Sequence, residues 1–297
     1  MKLSFVVPVY KGEKTIERLT DKIFQHFKGL TDFEIIFVND CGPDNSWNII
    51  KKIIKERSGN IKGIKLNKNR GQHFATLIGL FHSTGDIAVT IDEDIQYEPG
   101  EIPHLINILE TGNYDMVYGV PDTAVHNNIR NIGSSILKRL LVLSNPRIHP
   151  DYSSLRIIKK ELINNLKNAE CPYFFIDACL CKKETHIISE KVSLNKRENG
   201  QSSYTFTKLL VHFIKLLFAY TQLLSWIKVC SFLLSGLLLF YCIIAGGVVN
   251  LFKSKDLIII ILLLIFGSAS CSVSANIRKK TTKQVFNNMA INSEIIF

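Results

Sequence analysis

An α/β domain carrying a mostly parallel sheet, followed by an interfacial helix and a two-helix membrane hairpin, is the architecture this sequence predicts. Three observations predict it. Short β-branched runs alternate with helical apolar patterns through the first 120 residues. An amphipathic pattern begins after Ser203. Two runs without a charged side chain, Val229–Val249 and Leu257–Ile277, then close most of what remains. The chain has 297 residues and is 46% apolar, enough for one sizeable domain plus a further segment.

The elements follow in order. Leu3–Val9, Phe33–Val38, Ile61–Leu66, Ile87–Ile91 and Asp115–Gly119 read as strands, mostly apolar throughout, as a sheet covered on both faces requires. Between the first two, Ile16, Leu19, Ile23, Phe24 and Phe27 fall at helical spacing. Pro43-Asp44-Asn45-Ser46 reads as a turn ending in an N-cap, with Ile49, Ile50, Ile53 and Ile54 on one helical face beyond it. Alternation of this kind places ligands at the carboxyl ends of the strands. From Phe206 to Leu224, apolar residues recur at spacings of three and four while Lys208, His212 and Lys215 fall on other faces, the pattern of a helix lying in a bilayer interface.

Each uncharged run is about 21 residues, roughly 30 Å as a helix, which matches the hydrocarbon core of a bilayer. The expected organisation is therefore a domain over 1–205, a juxtamembrane helix over 206–227, transmembrane helices over 228–250 and 257–277, and a tail over 278–297. Lys228 precedes the first run and Arg278, Lys279, Lys280 and Lys283 follow the second, against Lys253 and Lys255 between them. That bias puts the domain and tail in the cytoplasm and makes the protein multi-pass in the cytoplasmic membrane. The amino terminus carries no long apolar stretch before a cleavage site, so no secretion signal competes with this reading. The net charge of +10 fits anionic lipid and phosphate ligands better than nucleic acid, because the excess positive charge is concentrated in the membrane-proximal third, where acidic residues are scarce. The seven cysteines read as reduced structural thiols, without zinc-finger spacing. Gly246-Gly247 and Ser231/Ser235 would let helices approach closely in lipid, so a homo-oligomer is possible on sequence.

The sharpest chemical signal is Thr90-Ile91-Asp92-Glu93-Asp94-Ile95-Gln96 at the end of a predicted strand. Two carboxylates two residues apart on an extended chain face the same side and can address one hard cation, Mg2+ or Mn2+. Further signals are Val6-Val7-Pro8-Val9-Tyr10, Phe37-Val38-Asn39-Asp40 and Asn69-Arg70-Gly71-Gln72-His73-Phe74-Ala75. In this order the four motifs resemble the family-2 inverting glycosyltransferases of the GT-A, Rossmann-like nucleotide-sugar fold. Tyr114–Gly119 and Arg197-Glu198-Asn199-Gly200-Gln201-Ser202-Ser203-Tyr204 narrow the resemblance to the polyprenyl-phosphate branch. That branch includes dolichol-phosphate mannose synthases, bactoprenol-phosphate glucosyltransferases and undecaprenyl-phosphate formamidoarabinose transferases. The last group is the most similar by eye, notably in Gly71-Gln72-His73, and the likeness covers roughly residues 3–250.

The resemblance implies a division of labour. Asp92, Asp94 and Gln96 would hold the metal against the donor diphosphate. Pro8, Tyr10, Glu13, Asp40, Gln72, Asp92 and Glu93 would meet the nucleotide, of UDP or GDP type. Arg130, Arg139 and Arg197, with Ser202, would receive the acceptor phosphate, and Asp94, Arg130, Arg139, Asp151 and Arg197 form the catalytic set. Departures from the family pattern are Asn39 where an acidic residue is usual, Lys11-Gly12-Glu13 where Asn-Glu often follows Tyr10, Arg156 five rather than six residues after Asp151, and Ser203 in place of a basic residue. Asp151 and Asp177 would shape the acceptor site, and His73 would serve at a helix start or near the nucleotide.

The activity implied is inverting transfer of one sugar to polyprenyl (undecaprenyl) phosphate for cell-envelope glycans such as lipopolysaccharide or O-antigen. Two rival readings remain: a transferase extending a lipid-linked oligosaccharide at a sugar hydroxyl, which needs a general base, and a non-catalytic membrane scaffold that keeps the fold. A processive polysaccharide synthase fits less well, since two membrane runs do not readily form a channel and no Gln-x-x-Arg-Trp motif is present.

Overall fold

The computed structural model of the chain describes residues 1–57, 59–122, 149–167, 175–181, 184–195, 230–237, 259, 262, 265 and 293–296. The chain divides into two compact units, Met1–Ser203 with Thr281–Phe297, and Tyr204–Lys280.

The first unit is built on strands β1 (Lys2–Val9), β2 (Asp32–Asn39), β3 (Asn60–Leu66), β4 (Ile87–Thr90), β5 (Met116–Pro121), β6 (Leu155–Lys159), β7 (Ile187–Val192) and β8 (Ser293–Ile296). They form one sheet in the order β7-β5-β6-β4-β1-β2-β3-β8. β4, β1, β2 and β3 run parallel. β6 is antiparallel to both β4 and β5, β7 is parallel to β5, and β8 is antiparallel to β3. The central β4-β1-β2-β3 strands are parallel as expected, within a sheet that is mixed as a whole. The limits of β1 to β5 agree with the sequence reading to within two residues, whereas that reading contains no β6 or β7. The β6 reversal matters for function. It brings the segment entering β6 to the same edge as the segments leaving β1, β2, β4 and β5.

The near-continuous apolar strands are explained by two covering layers. Helices α1 (Ile16–Phe27), α2 (Ser46–Glu56) and α4 (Ile102–Thr111) pack on one face. There Leu3, Phe5, Val7, Phe37 and Ile157 meet Leu19, Ile23, Ile50, Ile53, Leu105 and Leu109. Helices α3 (Gln72–His82), α5 (Lys160–Lys167) and α6 (Ile176–Leu180) cover the other. There Val6, Tyr118 and Ile158 pack on Leu77, Leu80 and Ile163, and Ile36, Val38 and Ile64 pack on Phe74, Ala75 and Ile78. Each fully buried Leu, Ile or Phe of this kind contributes about 1.5–3 kcal/mol over its exposed state.

Two local expectations differ from the structure. Ser46 is the first helical residue of α2 rather than its N-cap, and Asn45 holds the cap position without a side-chain cap bond. The Ser46 hydroxyl donates to the Asp44 carboxylate and accepts the Gly12 N–H at 3.0 Å. A tertiary bond to the β1–α1 loop has displaced a local one. Residues Ser293–Ile296, expected only as tail, form β8.

In the second unit, residues 230–237 are helical. Phe232, Leu233, Leu234 and Leu237 are exposed while Ser231 and Ser235 are buried. Among the described residues no helix is long and apolar enough to cross a membrane. The remainder of the 206–227, 228–250 and 257–277 segments lies outside the described residues.

Candidate active site

A cleft of about 690 Å³ opens at the carboxyl edge of the parallel strands. Four chain segments supply its chemistry: Gln72, His73 and Thr76 from α3, Asp92 and Tyr97 from the turn after β4, Asp151–Ser154 with Arg156 at the start of β6, and Ser189 and Lys191 from β7. Val120, Pro121 and Asp177 complete the lining.

The acidic motif sits in the turn that follows β4, not on an extended strand, since β4 ends at Thr90 and Glu93-Asp94 form a turn. The reason is visible in Ile95, which holds a left-handed φ of 58°. This is a costly conformation for a β-branched residue, of order 1–3 kcal/mol. Ile95 buries its side chain in the core, which offsets that strain. The Asp94 carboxylate accepts the Gln96 N–H at 3.2 Å, and the Asp92 carboxylate accepts the Gln72 side-chain N–H. Burial, then the charges of Asp92 and Asp94, push the Glu93 carboxyl up to about 7, although the Tyr10 N–H donates to it at 3.3 Å.

No three His, Cys, Asp or Glu side chains form a ready-made metal cage among the described residues. Asp92, Asp94 and the Gln96 amide nonetheless carry oxygen donors of the kind a hard divalent ion takes. Such ions take one or two protein carboxylates and complete their shell from phosphate and water. Burial is the larger cause of the raised Glu93, and the charges of Asp92 and Asp94 add to it.

The nucleotide-side candidates gather at the ends of β1, β2 and β3. Pro8 is buried within β1 and Tyr10 is half-buried at its end. Glu13 is exposed and ties the β1–α1 and β2–α2 loops together: its N–H donates to Asp44 at 3.1 Å and its carboxylate accepts the Asn45 N–H at 3.1 Å. Asp40 is buried, and its two carboxylate oxygens accept the N–H groups of Arg70 and Gly71 at 2.6 and 2.7 Å. Burial raises its pKa while those two bonds oppose the rise. Asp40 thus anchors the loop that starts α3. Gly71 in that loop has φ 93°, a conformation glycine adopts without penalty.

On the other side of the cleft, Asp151 is exposed and accepts the Ser189 hydroxyl at 3.0 Å. The Tyr97 and Ser153 hydroxyls lie 2.9 Å apart, joining the acidic turn to the β6 entry. His73 stands in the first turn of α3 with its ring 5.0 Å from that of Phe175, edge to face. Arg156 is buried and bonded to Asp177, and does not offer a free guanidinium to the cleft.

The structure brings Gln72, Asp92 and Asp151 together on one cleft. Asp94, Glu93 and Gln96 belong to its acidic turn, whereas Pro8, Tyr10, Glu13 and Asp40 do not line it. Arg130, Arg139, Arg197 and Ser202 lie outside the described residues. Sequence reasoning missed Tyr97, Tyr152, Ser189 and Lys191. Tyr97 directly follows the motif and could have been included. Ser189 and Lys191 alternate on a strand that carries no strong apolar signature, so their facing the cleft depends on the pairing of β7 with β5.

Comparison with known proteins agrees with this fold. The sequence profile described as "Glycosyl transferase family 2" matches residues 4–184. The chain is 30% identical over 257 residues to the undecaprenyl-phosphate 4-deoxy-4-formamido-L-arabinose transferase of Proteus mirabilis (strain HI4320), covering 83% of this chain and 78% of that one. The protein of the same name from Photorhabdus laumondii subsp. laumondii is 30% identical over 257 residues, covering 83% and 79%. Among solved structures, glucosyl-3-phosphoglycerate synthase from Mycobacterium tuberculosis, in complex with Mn2+, uridine diphosphate and glucosyl-3-phosphoglycerate, superposes with a TM-score of 0.55 at 18% identity. The match covers 73% of this chain and 77% of that chain. The same enzyme with Mg2+ and uridine diphosphate gives 0.54 at 19% identity, covering 73% and 77%. At such identity the likeness is one of fold.

Proposed function

Because the chain belongs to glycosyl transferase family 2, we propose that it transfers one sugar, with inversion, from a nucleoside diphosphate to polyprenyl phosphate at the cytoplasmic face of a membrane. The observation that carries this reading is the joining of Asp92 and Asp151 on one cleft at the carboxyl edge of the sheet. The acceptor class is supported by relatives named for transfer involving undecaprenyl phosphate at 30% identity. The donor class is supported by structural neighbours that hold uridine diphosphate with Mn2+ or Mg2+.

The chemistry assigns work to the chain's own residues. One acceptor phosphate oxygen forms a bond to the anomeric carbon as that carbon's bond to the donor diphosphate breaks, and the electron pair leaves with the nucleoside diphosphate. Both substrates are anionic, and two unit charges about 4 Å apart repel by about 4 kcal/mol at an effective dielectric near 20. Asp92, Asp94 and Gln96 would hold Mg2+ or Mn2+, which screens the diphosphate and stabilises the charge that builds on it. Arg130, Arg139 and Arg197, with Ser202, would grip the acceptor phosphate, a task suited to the planar guanidinium fork. An ionised phosphate is already nucleophilic, so no general base is required. The Asp40-anchored loop and Gln72 would seat the nucleotide against the acidic turn.

The membrane assignment extends this reading. Residues 206–227 would lie in the interface, and 228–250 and 257–277 would span the bilayer as a hairpin. The exposed Phe232, Leu233, Leu234 and Leu237 support lipid contact for the first span. A second reading, extension of a lipid-linked oligosaccharide at a hydroxyl, is favoured by one feature: Asp151 is held by Ser189 at the cleft, where a base would be needed.

Purified full-length protein incubated with labelled nucleotide sugars and undecaprenyl phosphate is expected to yield a charged lipid-monophosphate sugar. Chelation and Asp94→Asn should each lower turnover at least 10²-fold without unfolding the chain, given the charge stabilisation lost. No product with any donor, or full activity in Asp94→Asn, would refute the proposal. Product formed only with a lipid-linked oligosaccharide, and lost in Asp151→Asn, would favour the second reading.

A further inference from the structure

Arg156 of β6 and Asp177 of α6 form a two-pronged ion pair within the wall of the cleft. Nε and Nη2 of Arg156 donate to the two Asp177 carboxylate oxygens at 2.7 and 2.8 Å. Nη1 reaches the Thr90 hydroxyl at 3.3 Å and the Ser154 carbonyl at 3.1 Å. The Thr90 hydroxyl itself donates to the Ser154 carbonyl at 2.7 Å, and the Tyr118 hydroxyl donates to Asp177 at 2.8 Å. Arg156 is 4% exposed and Asp177 fully buried.

Two arguments narrow what this pair is for. An arginine has five N–H donors, and four hydrogen bonds to the protein already occupy Arg156. It is therefore poorly placed to be a phosphate ligand. Stability is also a weak explanation. A buried ion pair can commonly be exchanged for well-packed apolar residues without loss, because two ions must be stripped of water to form it. What such a pair does supply is fixed geometry, through several directional bonds at once.

The segments it joins are the two sides of the reaction. Thr90 lies two residues before Asp92, at the root of the acidic turn. Ser154 lies three residues after Asp151, on the acceptor side. Asp177 follows Phe175, whose ring packs on His73. We propose that Arg156 and Asp177 are positioning residues that fix the acidic turn against the Asp151 segment, and so set the alignment of donor and acceptor in the transfer proposed above.

The test uses full-length protein carrying Arg156→Met with Asp177→Leu, and separately Arg156→Lys. The apolar pair should keep its thermal midpoint within a few degrees of the parent. Its kcat should fall about 10²-fold, the scale expected for misplacement by about 1 Å, with KM for each substrate changed less than threefold. Arg156→Lys keeps the charge but loses the fork, and should lose about tenfold in kcat. A rise in acceptor KM with kcat unchanged would make Arg156 a phosphate ligand and overturn the proposal. So would full turnover in the apolar pair. Amide hydrogen exchange reads the same claim without substrate, and so separates it from the transfer reading. Protection should fall by more than tenfold over residues 90–97 and 152–156 and stay constant in β1 and β2. Unchanged protection would overturn the positioning role even if the parent showed no transferase activity.

Discussion

At the scale of single residues, Glu34 shows how a charge can be built into a core. It is fully buried in β2, and its carboxylate accepts the Ser4 hydroxyl, the Lys62 ammonium, and both the N–H and hydroxyl of Thr84. Burial pushes its pKa up, but Lys62, Ser4 and Thr84 outweigh it and hold the carboxyl at about 2, against 4.5 ordinarily. A carboxyl depressed on folding contributes stability above its unfolded pKa and loses it as pH falls through the folded value. The contribution is therefore complete above about pH 4.5, disappears toward pH 2, and amounts to about 3 kcal/mol in all. Denaturant unfolding between pH 6 and 3 should show this loss in the parent and a much shallower slope in Glu34→Gln. Equal slopes would mean that Glu34 is not the responsible group. None of this was legible beforehand, since a glutamate in an apolar run gives no hint of the lysine and threonines that meet it from distant segments. Asp40 was legible by position, at the end of an apolar strand, yet its bonds to Arg70 and Gly71 N–H depend on how the α3 loop folds back. Ile95 is hidden for the opposite reason. Nothing in a β-branched residue announces a positive φ, and only the core that receives its side chain enforces it.

At the scale of elements, the alternating pattern revealed the parallel core because both its signals are local: apolar runs of strand length, and helices with one apolar face. β8 shows where local signals fail. Ser293-Glu294-Ile295-Ile296 is four residues long and more than 225 residues from its partner β3, so nothing nearby marks it as a strand. Its seat is specific all the same. A Cβ on Gly63 would stand 3.0 Å from Ile296 Cγ1 and 2.9 Å from Ile50 Cγ2, so the glycine leaves the space that Ile296 fills beside α2. Lys65 and Glu294 face each other in register with opposite charges, a favourable cross-strand pair. β8 also covers the open edge of β3, and uncovered edges recruit other chains. Deleting residues 293–297 should cost about 1–2 kcal/mol from lost apolar burial and pairing, lowering the melting midpoint by a few degrees. Ile296→Ala should reproduce part of the fall. Light scattering should show the truncated protein associating at concentrations where the full chain does not. A truncated protein as stable and monodisperse as its parent would leave β8 without a structural role.

At the scale of the whole molecule, the β8 pairing constrains how the chain is threaded. The sheet unit comprises Met1–Ser203 together with Thr281–Phe297, so the chain leaves it after Ser203 and re-enters it at Thr281. A strand cannot pair with β3 from across a bilayer. Whatever spans the proposed hairpin residues make must therefore be even in number, with β8 on the same side as the strand it pairs with. The charge distribution supplies the direction independently: Lys228, Arg278, Lys279, Lys280 and Lys283 flank the apolar runs on one side against Lys253 and Lys255 between them, which favours the cytoplasm for the sheet. Cysteine labelling separates the two arguments. In intact cells, Ser254→Cys should react with a membrane-impermeant maleimide above the background of the native cysteines, while Lys283→Cys should react only after lysis. Reaction at both positions in intact cells would put them on one side of the membrane, so the second run would not cross it and the hairpin would have to be abandoned. Reaction at Lys283→Cys alone would keep the hairpin and its even count but reverse its direction, placing the cleft away from the nucleotide sugars of the cytoplasm and removing the proposed donor.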